Sequence, residues 1–433
     1  MGDFFALLGS NRNYRYTWMG QVVSEIGDHF NNIAVLGLAL ANTKQGMVVA
    51  GIMLSRAIPA IAVGPLAGVV LDRLDRKWIM LASDLIRALV ALGFILAIGT
   101  GSNVLLYLFS ALLMVASPFF TSGRAAILPT IASRQELHTA NSLTQTTQWT
   151  TLTIGAFLGG TSVMQFGYEW AFVFNALSFV FSAFCIFMLR PPKGRENFRA
   201  ERRDLNEAEV VRPWHEYKEG LNYMRSVPLV LGIALLSVGW ATGGGAAQIL
   251  FGLFGEIVFN RGAAGIGIIW GSAGAGLLLG GAFAHWLGKR VGFESYKVTV
   301  FIDFLVHGST YVLFSQMRSF GLALLFILIS RSAMAINSVL NYSWLLRVVP
   351  DEFRGRVFAT METFTWSTMM LSMMGAGLAS VNHSPRTIGT VAGLLSSTTA
   401  IFWGWANWTG RLKQPVAAGV DPHEVEVHGD PVQ

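Results

Sequence analysis

Residues 24–40, SEIGDHFNNIAVLGLAL, place Glu25, Asp28, His29, Asn31 and Asn32 inside an apolar run from Tyr16 to Ala41. Such a run is long enough to cross a bilayer as a helix. At 100° per residue, Gln21, Ser24, Glu25, Asp28, Asn31 and Asn32 fall within an arc of about 120°, with His29 just beyond its edge. A polar stripe of that kind must face protein or water, because lipid would leave it unsatisfied. A carboxylate there has two uses. It can be a permanently paired structural ion, or it can be balanced between desolvation and a neighbouring arginine, and so take a proton from one side and release it to the other. Asp28, deepest in the stripe, is the first candidate for proton coupling and Glu25 the second.

Partners for these acids follow from depth. At 1.5 Å per residue from the end of each span, Asp28 lies about 18 Å deep and Arg56 in the second span about 21 Å, so the two can pair. Glu25 and Arg87 share a shallower depth of about 13 Å. Asp84 and Arg87, three residues apart on one helix, can also pair with each other. Arg331 is the basic residue deep in the second half, with His307 near it in depth. Gln21, Ser24, Asn31, Asn32, Gln148, Trp240 and Gln248 are the expected cavity lining. Asp28 and His29 make a poor metal pair, since adjacent helical residues point about 100° apart.

Composition decides what holds these groups. The 433 residues are 53% hydrophobic and 13% charged, with mean hydropathy +0.50, against roughly 25% charged in a soluble domain. Repeated apolar runs without short alternating segments imply a polytopic helical membrane protein rather than a barrel. Twelve spans are expected near 16–41, 47–70, 77–99, 103–123, 142–165, 169–190, 228–252, 264–287, 297–316, 319–345, 357–381 and 387–409. With the N-terminus inside, one face collects Arg12, Arg15, Arg73, Arg76, Lys77, the basic 190–225 segment, Lys289, Arg290, Arg347, Arg354, Arg356, Arg411 and Lys413. The other face holds Lys44, Arg261, Arg318 and Arg386. This asymmetry puts both termini in the cytoplasm. The net charge of +6 then reads as anchoring to the inner leaflet, and no basic soluble domain suits a nucleic acid. No cleavable signal peptide is visible, so the first span is expected to target the chain. Cys185 is the single cysteine, which excludes an internal disulfide. No G-x-x-x-x-G-K-[ST] occurs, so ATP hydrolysis is not the expected energy source.

The polar stretch 190–228 splits the spans six and six. The expected organisation is a six-helix half at 1–190, a linker at 191–227, a second half at 228–409 and a tail at 410–433, with a surface helix near 214–226. The halves echo each other. GVVLDRLDRK (68–77) matches GAFAHWLGKR (281–290), and LPTIASRQELHTAN after span four parallels RVVPDEFRGRVFA after span ten. Repeats of half a chain are characteristic of transporters built from parallel repeats.

GPLAGVVLDRLDRK resembles the loop signature of the major facilitator superfamily, G-x-x-x-D-R-x-G-R-[RK]. Gly68, Asp72, Arg73, Arg76 and Lys77 match, and Asp75 stands where most members have glycine. The opening NRNYRYTWMGQVVSEIGDHFNNIA and the later RGRVF resemble the branch of bacterial macrolide-efflux and enterobactin exporters, drug:proton antiporters. The resemblance implies twelve transmembrane helices in two six-helix halves related by a pseudo-two-fold axis, in the bacterial inner membrane. It also implies that an acid of the first span after a glycine, as in Gly27-Asp28, carries coupling. The loop cluster reads as a latch for the outward-facing state, with Gly68 allowing close helix approach and Asp72 neutralised by neighbouring cations. Span five ends with Gly155, Gly159 and Gly160, partly resembling the antiporter motif with Ala156 in place of its proline; plain close packing also accounts for these glycines. The three glycines of GWATGGGAAQ (239–248) are expected to break span seven, facing substrate or forming a packing notch. The functional expectation is a monomeric, non-enzymatic secondary transporter that exports an amphipathic organic compound against proton entry, with no cofactor. An uncoupled permease or lipid translocator of the same fold, and a metal exporter, are the alternatives.

Overall fold

A computed structural model describes residues 2–191, 197–199, 213–288 and 290–413. The expected linker therefore lies outside the described residues at 192–196 and 200–212, as do Lys289 and the tail from 414. The described helices are α1 (Gly2–Ser10), α2 (Arg12–Thr43), α3 (Gly46–Arg73), α4 (Arg76–Thr100), α5 (Asn103–Ile131), α6 (Arg134–Phe166) and α7 (Tyr168–Phe187). They continue with α8 (Pro213–Ser226), α9 (Pro228–Leu253), α10 (Gly262–Leu287), α11 (Phe293–Gln316), α12 (Phe320–Val348), α13 (Asp351–Ala379) and α14 (Pro385–Trp408). Twelve of these helices have 20 residues or more, and eight are apolar enough throughout to cross a membrane by composition alone. The four long helices outside that set, α2, α6, α13 and α14, are interrupted by Ser, Thr and Asn, joined by acids in the first three.

Helices run past the apolar segments that betray them in the sequence. α6 begins eight residues before the expected 142, because Ser133 and Glu136 form a reciprocal capping box that starts the helix in the polar segment. Asn11 caps α2 through the backbone N–H of Tyr14. α9 is continuous through Gly243, Gly244 and Gly245, so the expected break in span seven is absent. Those glycines serve packing: a Cβ on Gly243 would collide with the Ala392 carbonyl, and one on Gly245 with that of Met369. The irregularity comes later, as a π-helical turn at Phe254–Val258.

The packing repeats between halves. α2 packs on α6 and α7, α3 on α5, and α4 on α5 and α7; α9 packs on α13 and α14, α10 on α12, and α11 on α12 and α14. Between halves, α6 crosses α10 as α13 crosses α3. Shifting each helix by seven elements maps every one of these contacts onto another, which is a pseudo-two-fold arrangement of two six-helix units.

The two ends of the bundle differ. At the end away from the basic loops, one apolar cluster joins both halves, from Phe30–Leu40 and Val48–Ile52 to Ala246–Phe254 and Met369–Ala376. Glycines bring the halves together there, Gly46 against Ser380 and Leu253, Gly377 against Met47 and Ala50, and Gly160 against Ala263 and Gly267. At the basic end the cores are separate: Met80, Phe120 and Ile186 belong to the first half, and Tyr296, Leu345 and Trp403 to the second. The bundle is closed at one end and parted at the other.

Candidate functional site

The polar stripe of α2 faces protein. Gln21, Ser24 and Asn31 are buried, and Glu25, Asp28 and Asn32 are half-buried. His29 leaves the stripe and packs on α6, where a Cβ at Gly155 would lie 2.9 Å from its own Cβ. Glu25 is heavily engaged. It accepts from Gln21 Nε2 at 2.8 Å and Thr151 Oγ1 at 2.8 Å, and forms an ion pair with Arg124 of α5 at 3.4 Å. The expected Glu25–Arg87 match is therefore replaced by Glu25–Arg124, because α5 extends past the apolar segment and carries Arg124 towards α2. A basic residue at the end of an apolar run was the signal available for it.

Arg56 does not pair with Asp28. Its guanidinium donates to Asn32 Oδ1 at 2.6 Å, Asn31 Oδ1 at 3.1 Å and Ser110 Oγ at 3.4 Å. Amide oxygens thus hold the cation by geometry without neutralising it. Asp28 makes no hydrogen bond or ion pair among the described residues, yet lies within electrostatic reach of Arg87, Arg56, Glu25 and Asp84. Asp84 and Arg87 behave oppositely. They form an ion pair on α4 with exposures of 0% and 3%, and the guanidinium lies 4.4 Å from the ring centres of both Phe120 and Phe179. Here the paired structural ion is Asp84 and the unpaired carboxylate is Asp28.

The loop signature divides into two. Asp72 and Arg73 are exposed and unpaired among the described residues, and nothing lies within 4 Å of a Cβ built on Gly68. Gly68 therefore makes no close helix approach with the halves parted at this end. Arg76 and Lys77 are tied down instead, donating to the carbonyls of Ala126 at 2.8 Å and Leu189 at 2.9 Å. Asp75, the departure from the signature, caps α4 at the Lys77 N–H (2.9 Å) and accepts from the backbone N–H of Phe198 at 3.3 Å. Among the three glycines of α6, Gly159 meets the Phe30 backbone and Gly160 the α10 backbone, so they make close crossings.

The expected cavity lining does not gather in one place. Trp240 and Gln248 line a cavity of about 520 Å³ within the second half, between α9, α11, α12 and α13. Gln21, Ser24, Asn31 and Asn32 stay with α2, and Gln148 is exposed on α6. The cavity wall carries Asp303, His307 and Glu362, none of which the sequence reading assigned to a site. The signals were present as the i, i+4 pair Asp303 and His307, and as polar spacing along Ser330, Asn337 and Asn341. His307 is held by Ser330, through Oγ at 2.9 Å and the carbonyl at 3.0 Å. Arg331 makes no ion pair among the described residues and lies 5.1 Å from the Phe251 ring centre. Among the described residues no group of three His, Cys, Asp or Glu could hold a metal ion.

A family model described as Major Facilitator Superfamily matches residues 17–373. The putative bacilysin exporter BacE of Bacillus subtilis is 24% identical over 383 residues, covering 88% of this chain and 91% of its own. The enterobactin exporter EntS of Citrobacter koseri is 26% identical over 411 residues, with 90% of each chain covered. Among solved structures, a bacterial homologue of the iron transporter ferroportin in an inward-facing state superposes with TM-score 0.68 at 16% identity, covering 90% of this chain and 98% of that one. The nucleoside transporter NupG superposes with TM-score 0.70 at 12% identity, covering 90% and 99%. These structures share the fold, while the sequence relatives and the family model span the paired helical halves and their loop signature. The chain belongs to the major facilitator superfamily.

Proposed function

We propose that this protein exports an amphipathic organic compound across the bacterial inner membrane by alternating access, driven by proton entry. The exporters BacE and EntS, similar over nearly the whole chain, support the direction. The observation that carries the coupling is the contrast between Asp28, half-buried in the polar stripe of α2 with no hydrogen-bonding partner among the described residues, and Asp84, locked to Arg87. A carboxylate that no partner holds can exchange its proton as the halves rock; one in a buried ion pair cannot without breaking the pair. Glu25 is the second candidate, because its 3.4 Å pair with Arg124 is partly exposed and can open as the halves rock. In this reading the twelve long helices each cross once, the basic end is cytoplasmic, both termini lie on that side, and the monomer works with its substrate and the bilayer. The parted basic end makes the present conformation inward-facing. The latch around Asp72 then closes in the opposite state, which agrees with its lack of partners here.

The test uses proteoliposomes, a panel of chemically diverse compounds and an imposed pH gradient. Wild type should accumulate at least one compound only with the gradient. Asp28→Asn should abolish accumulation while exchange survives. Accumulation by Asp28→Asn would make Asp28 structural, and equal flux with and without the gradient would favour an uncoupled permease.

A further inference from the structure

The cavity within the second half is built for a cation. Its wall holds two acids, Asp303 and Glu362, with His307 beside them, and no lysine or arginine among the described residues. Asp303 is 9% exposed, makes no hydrogen bond or ion pair among the described residues, and keeps one carboxylate oxygen fully buried without a partner. A buried carboxylate left without a partner is costly, so a ligand that brings a positive donor gains what the protein leaves unsatisfied. The buried cation of α12, Arg331, does not pair with Asp303: its guanidinium faces the Phe251 ring and the sulfur of the cavity-lining Met334. Trp240, Phe304, Tyr342, Phe358 and Trp366 supply ring faces around the same space, and such faces attract an ammonium while packing an apolar body. The volume of about 520 Å³ lies within the usual range for small-molecule sites, roughly 300–1,000 Å³.

The polar frame of this wall is fixed. Tyr296 donates to Asn341 Oδ1 at 2.6 Å, and Asn341 donates to Asn337 Oδ1 at 2.5 Å. These bonds tie the frame together and leave the Asn337 Nδ2 buried without a partner, and none of them runs to Asp303. From this geometry we propose that the second-half cavity binds organic monoamines in their protonated form, with Asp303 as the anchor for the ammonium and the aromatic wall for the apolar body. The assignment rests on the reading of the protein as a small-molecule transporter and names the class of its substrate. It places substrate recognition in the second half, apart from the coupling acids on α2.

The experiment is an equilibrium titration in nanodiscs at neutral pH, without a gradient. The probes are dansylcadaverine, whose primary amine is protonated, and its neutral N-acetyl derivative. Wild type should bind the amine about tenfold or more tightly than the acetylated probe, as expected for a hydrogen bond to a charged group. Asp303→Asn should remove that preference by weakening the amine alone, and unchanged binding of the acetylated probe shows that the cavity is intact. Asp28→Asn should keep the preference, so a failure of proton coupling does not imitate a failure of this site. Equal binding of the two probes by wild type, no saturable binding of either, or a preference that survives Asp303→Asn would each overturn the proposal.

Discussion

Replacing Asp84 by asparagine separates the paired carboxylate from the one proposed to couple protons. In the folded protein Arg87 is 3% exposed and its ion-pair partner is Asp84 at 0%. Removing one member of a buried pair leaves an uncompensated charge and costs about 3–5 kcal/mol. The Phe120 and Phe179 rings remain at 4.4 Å, and asparagine still offers an oxygen, so the lower end, about 3 kcal/mol, is the expectation. Asp28→Asn loses no partner and should stay within about 0.5–1 kcal/mol of wild type. The assay is unfolding in detergent, read as apparent melting temperature and monodisperse yield across the set. Asp84→Asn should melt clearly lower, and Asp28→Asn should melt with wild type. The double variant Asp84→Asn/Arg87→Leu should recover much of the loss, because removing both buried charges is often neutral or stabilising. If Asp84→Asn melts with wild type, or the double variant is no better than the single one, Asp84 and Arg87 are not a structural ion pair.

Three further outcomes follow from particular contacts. A Cβ on Gly267 would collide with the Ala156 carbonyl and press on Gly160; Gly267→Leu should therefore open the closed end, read as a longer spin-label distance between Thr43 and Asn260 in a Cys185→Ala background, with transport lost. Asp72 is exposed and unpaired in this conformation, so Asp72→Asn should leave the melting temperature unchanged and substrate affinity within a few-fold while slowing turnover. A collapse of affinity with turnover preserved would remove the latch role. Asp75→Ala removes the cap of α4 and the acceptor for the Phe198 N–H, at a cost of about 0.5–2 kcal/mol, and should expose the segment around 198 to limited proteolysis.

Membrane class, span positions and the repeat follow from local chemistry, and these were legible in the residues alone. Lipid leaves no choice about backbone hydrogen bonds, so each apolar run must be a helix. The pair Asp84 and Arg87 was visible for the same reason, since three residues along one helix fixes who can meet. Contacts between helices were not visible. Depth placed Arg56 beside Asp28 and Glu25 beside Arg87, but depth says nothing about rotation about each axis. Packing turned Arg56 towards Asn31 and Asn32 and brought Arg124 to Glu25. Gly68 and Asp72 looked like a contact point because their spacing matches a signature, yet with the basic end parted neither meets a partner among the described residues. The glycines of α9 looked like a break, and only the carbonyls of α13 and α14 lying against them show why they are small. Asp303 is a single acid in an ordinary apolar run until α9, α12 and α13 enclose it. A sequence fixes what each residue can offer, while its partner is settled by how the helices rotate and cross.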